Sequence, residues 1–245
     1  MIHGPAIIPW YVGYTEDANG KLHYTLDYNT LKNKPAPQKT KLISLATSNK
    51  VNTQGHINRI RFVEKLKAHY GSKLDVFGRG IQPYGDKWDV LAPYKYHIAI
   101  ENSSSDYYWT EKLADCYLAE TFPIYYGCKN IEDYFPKEAY QAIDIADPEG
   151  AIRIIDQLIA QDTYAKSKEI LSHCKDEVLD KYNIFDYAAQ ICDRLNPDLP
   201  KQEVIIKPCV SIQNWHNLFN YTIRRHYHPI KKRIIDLCHK PKTLS

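Results

Sequence analysis

Residues 94–127 read YKYHIAIENSSSDYYWTEKLADCYLAETFPIYYG, and their pattern predicts a strand, a polar loop, a helix and a second strand. Residues 96–100 form an apolar run of strand length, and turn-forming polar residues follow it. Thr110 is a suitable N-cap for a helix, because Leu113 and the apolar residues after it recur at helical spacing. A second apolar run over residues 122–126 predicts the next strand.

The same alternation extends upstream of this stretch. Residues 41–47 (KLISLAT) predict a strand buried on both faces, residues 58–70 a helix, and residues 74–77 a short strand. Residues 48–56 are polar and predict the loop between the first strand and the helix. A strand, a helix and a strand at this spacing form a βαβ unit, so we predict an α/β fold with a parallel sheet.

Downstream of residue 127 the pattern becomes mainly helical. Residues 140–145 predict one more strand, and residues 148–161 predict an amphipathic helix with isoleucine and leucine on one face. Residues 162–195 are mostly helical in pattern, with a break near Asn183. Residues 201–207 predict either a last short strand or a linker.

Composition divides the chain into three parts. Residues 1–40 contain prolines and turn signals and predict an irregular lead-in, residues 41–200 predict one α/β domain, and residues 201–245 predict a basic, aromatic tail. The tail predicts either a helix that contacts a membrane surface or a helix docked on the fold, with Pro229 interrupting its pattern.

Bulk composition excludes several classes of protein. A net charge of +3 is too small to indicate nucleic-acid binding. The six cysteines form no CxxC pair, which argues against a zinc site and predicts reduced thiols in the cytoplasm. No apolar run approaches the roughly 20 residues that span a bilayer, and the first residues lack a signal-peptide pattern. We therefore predict a cytoplasmic protein, peripheral to the membrane if its tail binds there.

Polar residues follow the strands at the edge where ligands bind in parallel sheets. Glu101 and Asn102 close the strand before the serine loop, and Glu111 and Lys112 begin the helix, where phosphates are attracted. Each residue also has a structural alternative. Glu101 could instead cap a helix or anchor the loop, and Glu111 with Lys112 could form a solvated surface pair.

Three further features carry binding chemistry. Arg59, with Arg61 as a rival, lies near a helix start and could bind a diphosphate through two hydrogen bonds. Gly78 belongs to a Gly-Arg-Gly segment whose backbone could approach a ligand closely. Tyr108 and its aromatic neighbours could stack on a base or sugar, or could pack in the core. His56 is a lone loop histidine that could orient a ligand.

In this order the motifs resemble the family 10 glycosyltransferases, which are α-1,3/1,4-fucosyltransferases. The segments that carry the resemblance over residues 41–145 are Tyr94-Lys95-Tyr96, Ile100-Glu101-Asn102, Tyr108-Trp109-Thr110-Glu111-Lys112 and Pro123-Ile124 with Gly127, and upstream Ser48-Asn49-Lys50, Arg59, Phe62 and Val76-Phe77-Gly78. Tyr96 and Ile100 replace the phenylalanines of the family pattern.

The resemblance implies a GT-B fold whose Rossmann-like donor domain, residues 41–200 here, holds GDP-β-L-fucose. It also implies inversion at the anomeric carbon, with no cofactor and no obligatory metal. Arg59 and Lys112 would bind the diphosphate, and Glu111 would bind ribose or sugar hydroxyls. The full set of residues that the resemblance places at the donor site is Asn49, Arg59, Gly78, Lys95, Glu101, Asn102, Tyr108, Glu111 and Lys112.

Members of the family carry an N-terminal acceptor domain that supplies the proposed general base. Only about forty residues precede the first predicted strand, so the acceptor domain is predicted to be short or missing. Glu16, Asp17 and Glu101 are the candidate bases. The predicted partners are a nucleotide sugar and a glycan acceptor such as lipopolysaccharide or another surface glycan. A partner-dependent or non-catalytic binding protein, or a transferase with a different donor, remains an alternative.

Overall fold

The computed structural model describes residues 10–17, 19, 21–47, 54–78 and 80–195. The chain divides into two units, residues 1–50 with 55–194 and residues 51–54 with 195–245. Apart from Gln54 and Leu195, all described residues belong to the first unit. Asn49 and the predicted elements beyond residue 200 lie outside the described residues.

A parallel sheet forms the centre of the first unit and confirms the predicted α/β class. Its strands are β3 (Lys41–Ala46), β4 (Leu74–Phe77), β5 (Tyr94–Ile100), β6 (Phe122–Tyr126) and β7 (Gln141–Ala142). They lie in the order β4-β3-β5-β6-β7, and every neighbouring pair is parallel. The strand predicted over residues 140–145 is shortened to β7, which among the described residues pairs with β6 alone.

Helices lie at the places in the chain that the apolar spacing predicts. They are α2 (Gln54–Tyr70), α3 (Glu111–Leu118), α4 (Pro148–Ala160), α5 (Thr163–Lys166), α6 (Lys168–Asp180) and α7 (Ile184–Arg194). Thr110 caps α3 as predicted, and Asp147 caps α4 by accepting a hydrogen bond from the Gly150 N–H. Within the described residues, no helix is long and apolar enough to cross a membrane.

Helix α2 begins earlier than its apolar spacing indicates. The predicted helix started at Asn58, but Gly55 and His56, predicted in the preceding loop, already lie in α2. The prediction was wrong there because Gln54, Gly55 and His56 are polar or small residues without an apolar signal, and such a run is typical of a loop.

Helix α3 is buried along almost its whole length. All six of its residues from Leu113 to Leu118 are buried, between the sheet on one side and α6 on the other. Strand β5 is similarly enclosed, because only Lys95 among its residues is not fully buried. The polar residues that follow β5 and begin α3 are therefore held between two buried elements.

The described part of residues 1–40, which the sequence predicts to be an irregular lead-in, contains three short elements. Strands β1 (Tyr14–Glu16) and β2 (Leu22–Tyr24) pair antiparallel, and helix α1 spans Tyr28–Asn33. We call residues 10–26 the N-terminal hairpin. Its elements are too short to show a period, and they are fixed by burial of apolar residues in the common core: Trp10, Val12, Leu26 and, in α1, Leu31.

Candidate functional site

A cleft of about 800 Å³ opens at the carboxyl edge of the sheet. One wall is formed by residues that follow β3, β4 and β5 and by the start of α3, and the other by the N-terminal hairpin. This is the edge at which parallel sheets bind ligands. Five of the residues predicted at the donor site line the cleft together: Arg59, Gly78, Asn102, Glu111 and Lys112.

Arg59 approaches the cleft from α2 and contacts the loop after β5. Its side chain is buried, with the residue 6% exposed, and Nη1 donates to Asn102 Oδ1 at 3.1 Å. Burial lowers the pKa of the Arg59 guanidinium, but the ordinary pKa of arginine is high enough that the group stays charged at neutral pH. The contact joins the helix after β3 to the residue after β5, so it fixes a cation across two strand ends.

Glu101 is the anchor of the polar loop rather than a wall of the cleft. It is 2% exposed and accepts hydrogen bonds from the Thr110 N–H and hydroxyl, each at 2.8 Å. Lys112 Nζ donates to its other oxygen at 3.0 Å. The geometry matches the loop-anchoring alternative for Glu101, and it gives the carboxylate no access to the cleft as a catalytic group.

Gly127 makes room for this anchor. A Cβ added to Gly127 would lie 2.4 Å from Glu101 Cγ, closer than any real contact allows. The glycine that follows β6 is therefore required by the side chains of Glu101 and Tyr125 beside it.

Glu111 and Lys112 present opposite charges at the start of α3. Lys112 Nζ lies 3.2 Å from Glu111 Oε1, and the Lys112 side chain keeps 24% of its surface exposed. Burial lowers the pKa of Lys112, but the carboxylates of Glu101 and Glu111 outweigh it and raise the pKa above its usual value. Burial raises the pKa of Glu111, but Lys112 and Lys87 lower it by more, so the net shift is downward. Both groups are therefore charged at neutral pH.

Gly78 is required by the neighbouring strand. Its φ of +144° is one that side chains rarely adopt, and an added Cβ would lie 1.6 Å from the Thr47 carbonyl oxygen. The sequence indicated close approach of a backbone to a ligand. The structure shows a backbone-to-backbone approach at the same residue, at the edge of the cleft.

Lys95 and Tyr108 are not brought to this group. Lys95 lies at the amino end of β5, opposite the cleft, and its Nζ contacts Asp162 at 3.1 Å. The motif residues 94–96 lie at the start of β5, whereas Glu101 and Asn102 follow its end. The length of the strand therefore separates the two groups. Tyr108 is half-buried and does not line the cleft.

The aromatic residue next to Tyr108 is a core residue. Trp109 is fully buried, and its ring centroid lies 5.2–5.7 Å from those of three aromatic residues: Tyr134, Phe135 and Tyr182. Packing, rather than stacking on a ligand, is therefore the role of this part of the loop.

His97 lines the cleft, although the sequence analysis did not identify it as a binding residue. It lies in the middle of β5, is buried, and its Nδ1 is 2.7 Å from Ser44 Oγ on β3. Burial and the nearby charge of Lys87 lower the pKa of His97 to about 3, so the ring is neutral at physiological pH. Alternation along β5 places His97 on the same face as Ala99 and Glu101, and this could have indicated it.

Lys87 is the second cleft residue that sequence reasoning missed. It begins a short 3-10 turn, Lys87–Val90, and its Nζ lies 2.6 Å from Asp115 Oδ2 on α3. Asp115 also accepts a hydrogen bond from the Tyr11 N–H at 2.8 Å. Burial lowers the pKa of Lys87, but Asp115 and Glu111 raise it by more, so the amine is protonated.

The N-terminal hairpin forms the opposite wall, and of its lining side chains the sequence analysis named only Glu16, as a candidate base. Tyr11, Tyr14 and Glu16 line it, and Asp86 fixes the hairpin by accepting the Gly13 N–H at 2.8 Å. The hairpin thus reaches the cleft through backbone bonds to two aspartates distant in sequence. No local pattern signals such contacts.

The family model described as Glycosyltransferase family 10 (fucosyltransferase) C-term matches residues 36–215. The chain belongs to this family. The match confirms the resemblance inferred from the motifs and includes every cleft residue predicted from it. The N-terminal hairpin precedes the matched residues.

Curated relatives are fucosyltransferases of primates. The chain is 34% identical over 111 residues to 4-galactosyl-N-acetylglucosaminide 3-alpha-L-fucosyltransferase FUT6 of Pongo pygmaeus, covering 43% of this chain and 30% of that protein. It is 32% identical over 126 residues to 3-galactosyl-N-acetylglucosaminide 4-alpha-L-fucosyltransferase FUT3 of Homo sapiens, covering 49% and 34%. The chain therefore spans about a third of the length of these relatives.

Among solved structures, an α1,3-fucosyltransferase with GDP is 21% identical with a TM-score of 0.44, covering 62% of this chain and 51% of that one. A second crystal structure, of α1,3-fucosyltransferase with GDP-fucose, is 20% identical with the same TM-score of 0.44 and the same coverage.

Proposed function

We propose that the cleft binds GDP-fucose and that the protein transfers L-fucose, with inversion, to a hydroxyl of a glycan acceptor. The observation that carries the proposal is the gathering of Arg59, Asn102, Glu111 and Lys112 at the carboxyl edge of the sheet, inside the residues matched by the family. Cations fixed at a strand edge are what a nucleoside diphosphate requires.

The proposed roles follow from how each cation is held. Arg59 offers a planar fork whose position is fixed by Asn102, which suits two diphosphate oxygens. Lys112 offers a point charge at the start of α3, whose backbone N–H groups add to the positive potential. Together they would stabilise the negative charge that develops on departing GDP without a metal. In this proposal the described unit is the donor domain of a GT-B enzyme.

Glu16 is the carboxylate that we propose as general base. Asp17 is engaged in the hairpin turn, where it accepts the Asn19 and Lys21 N–H groups, and Glu101 is engaged in anchoring the loop. Glu16 lines the cleft on the wall opposite the cations, where an acceptor hydroxyl would face the sugar.

The base assignment is tested with Glu16→Gln. We expect fucose transfer to fall by about 10²-fold or more, with GDP-fucose affinity unchanged, because only proton removal is lost. Glu149→Gln, on exposed α4 surface, serves as the matched control and should leave transfer unchanged. Equal transfer rates for Glu16→Gln and the control would exclude Glu16 as the base.

The acceptor is the second substrate of the proposed transfer. We propose a surface glycan such as lipopolysaccharide, with the basic, aromatic residues 215–240 placing the protein at the cytoplasmic membrane face. The test is binding of the chain to anionic vesicles and transfer to extracted surface glycans. Transfer only to soluble oligosaccharides, with no vesicle binding, would contradict it.

The donor proposal is tested by calorimetric titration of the full chain with GDP, GDP-fucose and UDP-sugars in the presence of EDTA. We expect selective binding of the guanine compounds. Arg59→Ala and Lys112→Ala should each weaken GDP binding by about 1.5–3 kcal/mol, because charge-assisted hydrogen bonds are lost. Lys95→Met, at the opposite end of β5, is the control and should not change GDP affinity.

Three outcomes would replace the proposal. Preference for UDP-sugars would favour a transferase with another donor. GDP-fucose binding without transfer to any acceptor would favour the partner-dependent or non-catalytic alternative. Equal losses of GDP affinity in Lys95→Met and Arg59→Ala would contradict the placement of the diphosphate site at the carboxyl edge of the sheet.

A further inference from the structure

We propose that Lys87 is a third diphosphate-binding cation of the donor site, held in the cleft wall by Asp115. The inference rests on the proposed function, since it extends the same GDP-binding site to a residue outside the family motifs quoted above. Lys87 lines the cleft together with Arg59 and Lys112, and its side chain keeps 11% of its surface exposed.

The position of the Lys87 ammonium is fixed by a built-in partner. Asp115 has no exposed surface, and its Oδ2 lies 2.6 Å from Lys87 Nζ. Asp115 lies three residues after Lys112 on α3. The residue that holds Lys87 and Lys112 itself are therefore neighbours on one helix. Because the Lys87 side chain is already held in one position, ligand binding costs less side-chain conformational entropy.

The electrostatics of the cleft favour an anion between these cations. Lys87 lines the same cleft as Lys112 and His97, and its positive charge opposes protonation of both, although Glu101 and Glu111 raise the pKa of Lys112 overall. Two ammonium groups that repel each other are both stabilised when a diphosphate binds between them. Glu111 Oε1, 3.2 Å from Lys112 Nζ, offsets part of this positive charge.

The structural alternative is that Lys87 is present only as the counter-ion of Asp115. A buried ion pair can often be replaced by uncharged side chains without loss of stability. We therefore use the double variant Lys87→Met with Asp115→Asn, which leaves no unpaired buried charge. The Asn side-chain oxygen can still accept the Tyr11 N–H that Asp115 accepts. This variant separates the role of counter-ion from the role of phosphate ligand. It leaves no unpaired charge in the fold, but it removes the ammonium group that would contact phosphate.

The experiment measures affinity for GDP and for guanosine by competition against a fluorescent guanine nucleotide, using the full chain. We expect the double variant to lose about tenfold or more in GDP affinity while guanosine affinity is unchanged. Lys87→Arg should recover most of the GDP affinity because it keeps the charge. Lys41→Met, which removes an exposed lysine paired with Asp75 at the other end of the sheet, should behave like wild type.

Two results would overturn the inference while leaving the proposed function intact. One is unchanged GDP affinity in a folded double variant. The other is an equal loss of GDP and guanosine affinity, which would indicate a distorted cleft rather than a lost phosphate contact. Absence of GDP binding in the wild-type chain would overturn both this inference and the proposed function.

Discussion

The two walls of the cleft are held in different ways. On the sheet wall, Glu101 bonds to Thr110 and Lys112, which follow it by nine and eleven residues. On the hairpin wall, Asp115 and Asp86 hold the backbone of Tyr11 and Gly13, which precede them by 104 and 73 residues. The first wall is organised within one short stretch of sequence, and the second exists only because distant segments fold together.

The largest expected effect comes from removing the buried aspartate under the hairpin wall. Asp115→Ala leaves Lys87 as an unpaired buried charge and leaves the Tyr11 N–H without its acceptor. We expect a loss of about 3–5 kcal/mol in the free energy of unfolding, measured by urea denaturation. The control Glu132→Ala breaks the exposed pair with Lys137 and should lose no more than about 1 kcal/mol. Similar losses in both variants would contradict the buried clamp.

The sheet wall is tested by Glu101→Gln. The variant keeps the shape of the side chain but replaces the charge that receives the Thr110 and Lys112 donors. We expect about 1.5–3 kcal/mol of destabilisation together with weaker GDP binding, because the start of α3 loosens. Unchanged stability and GDP affinity with abolished transfer would instead make Glu101 a catalytic group.

The neutral histidine under the cleft predicts a pH dependence. The pKa of His97 is lowered to about 3 by burial and by Lys87, whereas an unfolded histidine has a pKa of about 6.5. Between these values the unfolded chain binds a proton that the folded chain does not. Stability from this group is therefore full above about pH 6.5 and falls with decreasing pH, by about 1.4 kcal/mol per unit.

The measurement compares urea unfolding at pH 7 and pH 5 for the wild type and for His97→Gln. The glutamine side chain does not titrate between pH 5 and pH 7. The variant should therefore lose less stability on acidification than the wild type. Identical losses in the two proteins would show that His97 titrates normally in the fold.

The smallest expected effect is at the second hairpin clamp. Asp86→Ala removes the acceptor of the Gly13 N–H and of the Trp88 N–H that it caps, each at 2.8 Å. We expect a loss of about 1 kcal/mol, with faster limited proteolysis confined to residues 10–26. Cleavage that starts elsewhere would show that Asp86 does not hold the hairpin.

The sheet wall could be predicted because its signals are local. Apolar runs at strand and helix spacing gave the parallel sheet, and Thr110 marked the start of α3. Strand polarity then placed Asn102, Glu111 and Lys112 at one edge. The same motifs misplaced Lys95, since a motif match does not show which end of a strand faces the ligand.

The sequence by itself determined the α/β class, the family and most of the sheet wall, because periodicity and capping act between residues close in the chain. Only the tertiary structure decided that Glu101 is an anchor and that Gly78 avoids the Thr47 carbonyl. It also decided that Lys87 and Glu16 share the cleft. These are consequences of burial and of contacts between distant segments. The energies of these contacts depend on which groups come together away from water. A local sequence pattern does not contain that information.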